Sequence, residues 1–540
     1  MHFKIVSTFF LLSVSFFGFG QSRFSPLERQ YLLSEEASIH SKENNLHTSI
    51  QPYFINETKG LYNQDSLRNG IKYNIKRNNF VNRVAGNFAN NYLLPIDSGI
   101  VSIRATPLFD LELQYDPSKK RQYYRNTRGV LIYGDFGTKF SFYTGFYENQ
   151  ASFPDYINRF VDSNLVVPGQ GGTKTFKGDK GQDFGIPFGY VCYAPSRFLT
   201  VQFGQDKNFI GNGYRSLLRS DNATNNPFLK IQTSFWHVKY MILYEQFQDI
   251  RIPAPAVLGR GYPKKYSTTH YLSWKVNKSL EFGLFESIIW QSQDSVGGSR
   301  GYDWAYLNPV IFLRPTEFYN GSADNALMGI NLKYQILHNL YTYGQVILDD
   351  LKFAELKKKG SKYPQKYGFQ LGARYFDIAK IKGLAIQGEF NYVMPYTYSH
   401  RLALQNYTHY GQSLAHPQNA NFIEWIGIID YNTKRWSFSN RLVYTTYGAD
   451  KTSATNFGHN IFADIHQYPI YYQGTQITQG YKTTMIYNTL TAAYIINPAV
   501  NMRLELSFTY RSQTTVDTKE LDKIIGFSFK TALFNKYYDF

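Results

Sequence analysis

The chain has 540 residues, among them 57 Lys and Arg against 40 Asp and Glu for a formal charge of +17, and a single cysteine, Cys192, which excludes an intramolecular disulfide. Aromatic residues make up 18% of the chain, with 46 Tyr and 43 Phe, yet the mean hydropathy is only −0.38. A soluble core that rich in aromatics would carry more Leu, Ile and Val, whereas a membrane wall with interfacial aromatic girdles and a polar inner face has this balance.

Residues 1–20 read as a cleavable export signal. His2 and Lys4 form a basic start, residues 5–19 are apolar but too short for a permanent helical span, and Gly18 and Gly20 precede Gln21. No later stretch offers the 18 or so consecutive apolar residues of a helical anchor. Export removes nucleic acid as the expected partner of the positive charge and leaves lipid phosphates, acidic polysaccharides and anionic solutes.

Residues 21–85 differ from the rest and are expected to form a small periplasmic or plug-like segment. Ser25-Pro26-Leu27-Glu28 has a Ser three residues before a Glu and a Pro at the first helical position, which predicts a helix running from Arg29 to Ala37. Residues 44–60 are polar and turn-rich.

From about Val84, through residues 86–540, a two-residue period takes over. Phe140, Phe142 and Phe146 alternate with Ser141, Tyr143 and Tyr147, so one face suits lipid and the other a lumen. Hairpins are predicted around Asn277-Lys278, His338-Asn339 and Asn497-Pro498, and a strand over 384–394. In the return strand after Pro498, the residues Arg503, Glu505, Ser507, Thr509 and Arg511 make a wholly polar row. Long polar stretches at 153–182, 207–226, 291–326, 351–364, 398–421 and 446–479 read as loops on one rim. The fold class is therefore all-β, a transmembrane outer-membrane β-barrel of about 16–18 antiparallel strands. No fixed-period repeat supports a soluble propeller or β-helix.

Catalytic motifs are missing: there is no H-E-x-x-H, no G-x-S-x-G and no cysteine cluster. Residues 169–175 have the flavour of a phosphate loop without its G-K-[ST] ending. His400, His409 and His416 share a loop but have no carboxylate in a fixed spacing, so no metal or other cofactor is assigned. Two aromatic polar stretches, 211–230 and 302–325, carry what a sugar site needs, flat rings for C–H faces and planar polar groups for hydroxyls. The candidates are Arg215, Asp221, Asn222, Trp304, Tyr306, Asn308, Arg314 and Glu317. The same residues equally suit an inward-folded structural loop, with Arg paired to Asp or Glu inside the lumen.

The first of these stretches, with Gly211-x-Gly213, Ser216-Leu217-Leu218, Ser220-Asp221-Asn222-Ala223 and Pro227-Phe228-Leu229, resembles the most characteristic segment of the Wzi capsule-assembly family of outer-membrane proteins. Asp324-Asn325-Ala326-Leu327-Met328-Gly329, Tyr343-Gly344-Gln345 and Leu348-Asp349-Asp350 resemble it further. Within the family the chain is most similar to the gliding-motility, RemB-like branch of Bacteroidota, in keeping with its final residues 535–540. The resemblance implies an eighteen-stranded barrel with a periplasmic helical portion, and a non-enzymatic protein that handles surface polysaccharide. Its partners would be outer-membrane lipid and lipopolysaccharide, surface polysaccharide and gliding or secretion machinery, with the chain itself a monomer. A diffusion pore is the runner-up, and a barrel hydrolase a third possibility. Where the branch has an aromatic W-G-P-G-like approach, this chain has Phe209-Ile210-Gly211-Asn212-Gly213, so the family's sugar contacts do not transfer residue by residue.

Overall fold

The computed structural model describes residues 23–58, 61, 73, 75–76, 78–176, 181–251, 261–293, 298–313, 319, 321, 324–350, 364–452, 454–465, 475–531 and 533–540. The predicted export signal lies outside them. Eighteen antiparallel strands close into one barrel: β1 Val101–Asp116, β2 Arg121–Phe136, β3 Phe140–Ser152, β4 Gly181–Ser196, β5 Leu199–Asp206, β6 Asn226–Phe235, β7 Val238–Gln248, β8 Lys264–Lys275, β9 Leu280–Gln291, β10 Asn325–Leu337, β11 Leu340–Asp350, β12 Lys366–Phe376, β13 Leu384–Val393, β14 Phe422–Thr433, β15 Trp436–Ala449, β16 Tyr481–Asn497, β17 Met502–Thr514 and β18 Lys519–Thr531. The seam forms where β18 pairs with β1, Phe527 opposite Leu113. Closure pairs each of the eighteen strands with a neighbour on both sides, which is what lets a sheet sit in lipid.

Alternation sets the two faces of the wall. On β17 Arg503, Glu505 and Arg511 point into the lumen and are buried, while Leu504, Leu506 and Phe508 are exposed outward. Outward apolar side chains and inward polar ones make this an outer-membrane barrel. No described helix is long and apolar enough to cross a membrane. The segments joining strands at one end are short, such as 197–198, 236–237, 338–339 and 434–435. At the other end they are long, at 153–180, 207–225, 249–263, 292–324, 351–365, 394–421 and 450–480. The long-loop rim is the extracellular one.

Three segments occupy the lumen, leaving beside them a cavity of about 250 Å³ lined by Glu28, Asp110, Arg125, Arg441 and Lys530 among others. From the short-turn end enter residues 23–58, whose helix α1 spans Arg29–Ile39. Its cap differs from the expected one: Glu28, not Ser25, is the N-cap, accepting from the Tyr31 N–H, while the Ser25 hydroxyl accepts from the Tyr53 N–H. From the extracellular end loop 207–225 folds inward, and the two meet in a short antiparallel bridge, Ile50 opposite Ile210. Together with inward side chains of the wall such as Leu243, Phe247, Tyr271 and Phe285 they build the largest apolar cluster, which includes Ile50, Ile210, Leu217 and Leu218. Residues 533–540 run back from the end of β18 as the third filling segment, and Asn535 donates to the Leu27 carbonyl at 2.9 Å.

Residues 80–90 also depart from expectation. They form a helix, α2 (Phe80–Asn90), rather than the start of the alternating region, with the Asn79 side chain accepting from the Asn82 N–H. Phe80, Val84 and Phe88 recur every four residues, a spacing that satisfies both a two-residue and a helical period. An N-cap and the Asn497 side chain, which donates to the Phe88 and Asn91 carbonyls at 2.8 and 2.7 Å, decide for the helix.

Candidate functional site

Three of the sequence candidates lie in loop 207–225, inside the barrel. Arg215 is 1% exposed, and its Nη2 lies 3.0 Å from Asp539 and 3.5 Å from Glu424. Its guanidinium sits 4.8 Å from the Tyr214 ring centroid and 5.2 Å from that of Tyr537. Asp221 accepts from Asn535 at 2.9 Å and from the Tyr537 hydroxyl at 2.8 Å. Both side chains are engaged in fastening the filling segments to one another. Asn222 donates to the Ser413 carbonyl at 3.1 Å and reaches the extracellular cavity described below.

Trp304, Tyr306 and Asn308 belong to a different neighbourhood, on the outside of the wall. Tyr306 is buried and its hydroxyl donates to Asp324 at 2.7 Å. Trp304 is exposed, and Asn308 accepts from the Val310 N–H within its own turn. Arg314 and Glu317 lie outside the described residues. The candidates are thus not gathered at one place.

What the extracellular rim does gather is a cavity of about 420 Å³ above the luminal segments, within the range of small-ligand sites, roughly 300–1,000 Å³. One wall is α3 (Asp155–Asn164) in the loop after β3, which presents Tyr156 and Phe160 one turn apart. Phe540 packs on both, 4.9 Å from Phe160 and 6.3 Å from Tyr156 between ring centroids. Opposite stand residues of loops 394–421 and 450–480, including Gln412, Gln418, His459 and Phe462. Tyr447 and His459 stack at 4.7 Å, and the His459 Nδ1 is 2.8 Å from the Ala420 carbonyl oxygen.

Two features make this vestibule chemically receptive. The Nε2 groups of Gln412 and Gln418 are buried at its wall with no hydrogen-bond partner, although the other end of the Gln412 amide accepts from the Gly169 N–H at 2.6 Å. A buried donor without an acceptor costs about 1–3 kcal/mol, and a ligand hydroxyl or carboxylate would remove that cost. Cations stand at the wall as well: Arg159, Arg251 and Arg511 line the cavity, with Arg159 paired to Glu520, Arg251 to Asp249 at 3.1 Å, and Arg511 to Asp522 at 3.8 Å and to the Phe540 main-chain oxygen at 3.3 Å. Arg251 lies 4.0 Å over the Phe462 ring and Arg511 4.3 Å over the Tyr156 ring.

Burial holds the rim histidines neutral. His409 is pushed down to about 3 by desolvation, as is His400. His416 and His459 are lowered for the same reason, His416 against the pull of Glu424 at 2.7 Å. His400, His409 and His416 are each engaged separately, with the Leu402 N–H, the Gln248 N–H and Glu424. No group of His, Cys, Asp or Glu that could hold a metal occurs among the described residues.

Of the sequence candidates among the described residues, Asn222 alone reaches the vestibule. The other walls come from helix α3 and from single residues of distant loops. The i, i+4 pair Tyr156 and Phe160 was the legible signal, in a stretch read only as a polar loop.

No family model and no curated protein matches the chain. Among solved structures it is similar to Wzi of Escherichia coli, an outer-membrane protein involved in group 1 capsule assembly and described as a carbohydrate-binding β-barrel. The identity is 15%, the TM-score 0.52, and the match covers 94% of this chain and 99% of that one. OccK9 (OpdG) of Pseudomonas aeruginosa matches at 8% identity and a TM-score of 0.43 over 80% of this chain and 100% of that one. OccK1 (OpdK) of the same organism matches at 10% and 0.42, over 79% and 98%. At such identities the likeness to Wzi is one of fold.

Proposed function

We propose that this protein is a non-catalytic outer-membrane barrel that holds surface polysaccharide at its extracellular vestibule. The finer role is attachment of capsular or exopolysaccharide to the cell, used in capsule assembly or in surface gliding of a Bacteroidota cell. The observation that carries it is the vestibule itself, with aromatic faces beside two unpartnered buried amide donors in a cavity that three arginines also line. Rings stack on the C–H faces of sugars, and planar amides and guanidinia bind hydroxyls and carboxylates. The Wzi-like fold supports the same conclusion. The inserted segments weigh against the pore alternative, since residues 23–58, 207–225 and 533–540 narrow the space a solute would cross to a cavity of about 250 Å³.

The test is calorimetric binding of the detergent-solubilised barrel to the producing organism's purified surface polysaccharide across a salt series. Binding that weakens with salt and drops on Arg251→Ala and Gln418→Ala supports the proposal. Binding at no salt concentration, together with steady conductance in planar bilayers, overturns it in favour of a channel.

A further inference from the structure

The wall has a polar patch where lipid is expected. On β8 and β9 the inward row includes Ser273, Tyr271 and Thr269 opposite Gly283, Phe285 and Ser287, so the alternate residues His270, Thr268, Glu286, Ile288 and Trp290 face outward. All five are at most 1% exposed. What covers them is the loop after β9, residues 298–313, folded down the outside of the barrel.

That strap answers Tyr240, Tyr244, Thr268 and Glu286 of the wall with backbone, while His270 Nδ1 meets the Tyr240 hydroxyl at 3.0 Å. The Tyr240 hydroxyl donates to the Pro309 carbonyl at 2.8 Å and the Tyr244 hydroxyl to that of Leu307 at 3.0 Å. Thr268 donates to the Tyr306 carbonyl at 2.9 Å. Glu286 accepts from the N–H groups of Phe312 and Leu313 at 2.6 and 2.7 Å. Irregular backbone at membrane depth persists only when paired in this way.

The depth follows from the register. Trp274, 42% exposed, marks the periplasmic girdle on β8. A strand rising ~3.3 Å per residue at ~40° tilt climbs about 2.5 Å per residue along the normal. His270 then lies about 10 Å and Thr268 about 15 Å above Trp274, inside an apolar band ~25 Å tall. Residues 304–313 carry no charge, and flanking Arg300 and Asp303 pair with each other at 2.9 Å. Their outer side chains Trp304, Val310 and Phe312 are 85%, 63% and 55% exposed, continuous with Ile330 and Leu332 on the bare wall.

We infer that residues 302–313 are a lipid-inserted strap, with Trp304, Val310 and Phe312 contacting acyl chains around the middle of the bilayer. The inference is independent of the glycan site. Because Cys192 is buried, Val310→Cys and Phe312→Cys each add a single accessible thiol for a nitroxide label. In proteoliposomes both labels should collide with oxygen in preference to a water-soluble nickel chelate, as at Leu332→Cys on the wall. The oxygen-to-nickel ratio should exceed several-fold that at Lys451→Cys in an extracellular loop. A nickel-accessible signal like that at Lys451 overturns the inference by placing the strap in water. A label shielded from both reagents overturns it in favour of a second protein on this face.

Discussion

Arg215→Met removes the cation that ties loop 207–225 to the C-terminal segment while keeping much of the side-chain volume. In the folded protein Arg215 serves two carboxylates and lies between two tyrosine rings. Breaking a buried pair costs about 3–5 kcal/mol, and a desolvated cation–π contact adds about 2 kcal/mol. Neither carboxylate is left bare, however. Asp539 keeps Arg441 at 3.1 Å and the Tyr214 hydroxyl at 2.7 Å, and Glu424 keeps His416 at 2.7 Å and the Asn391 amide at 3.0 Å. The net loss should therefore fall near the lower end, about 3 kcal/mol, or a hundredfold rise in the undocked loop. The barrel ladder makes no use of Arg215, so heat-modifiable migration of the folded barrel should persist. Planar-bilayer recordings should change from closed for the wild type to intermittent openings for Arg215→Met. Asp539→Asn should be less than additive with Arg215→Met, because each removes the same contact. Wild-type-like recordings and an unfolding midpoint within about 0.5 kcal/mol of the wild type would refute this account of how the lumen is sealed.

Acidification should loosen the rim. A histidine held below its ordinary value stays neutral in the folded state while the unfolded chain takes up a proton below pH ~6.5. His409 and His416 should thus each withdraw about 1.4 kcal/mol per pH unit as pH falls from 6.5 toward the folded value, read as lower hydrogen-exchange protection, relative to the intrinsic rate at each pH, in residues 400–420 at pH 5 than at pH 7.5. In the vestibule, Gln418→Leu removes one amide donor and should weaken polysaccharide binding about 2–10-fold, the worth of ~0.5–1.5 kcal/mol, with the thermal midpoint unchanged or raised because the orphan donor is gone. Glu286→Leu leaves the Phe312 and Leu313 N–H groups without their charged acceptor at a cost of about 1.5–3 kcal/mol. It should make residues 302–313 exchange faster while the barrel strands stay protected.

The strands were legible because membrane walls impose a strict alternation, and Phe140 to Tyr147 or Arg503 to Arg511 can satisfy it only as β-structure. The hairpins at Asn277, His338 and Asn497 followed for the same local reason. The lumen filling was less legible, since the pairing of Ile50 with Ile210 and of Asn535 with Leu27 joins residues far apart in the chain and leaves no periodic trace. The inward-folded alternative did anticipate Arg215 paired to carboxylates, though not that one partner would be Asp539. Asp303 to Leu313 looked like a sugar loop because the strap is aromatic and polar. The warning lay in β8 and β9, where His270 and Glu286 interrupt an outward apolar row and require a cover.

The meeting of residues 27–29 with Asn535 also sets an order of events. Asn535 receives the Arg29 N–H at 3.0 Å and donates to Leu27, across a sequence separation spanning nearly the whole molecule, and β18 must pair with β1 around them. Contacts of such separation form late and slowly, because the loop-closure entropy is spent before they return anything. The interior therefore sets only once the last strand is in place. A chain stalled before β18 would be a sheet with an open seam and unpaired luminal charges, the form a quality-control protease would meet.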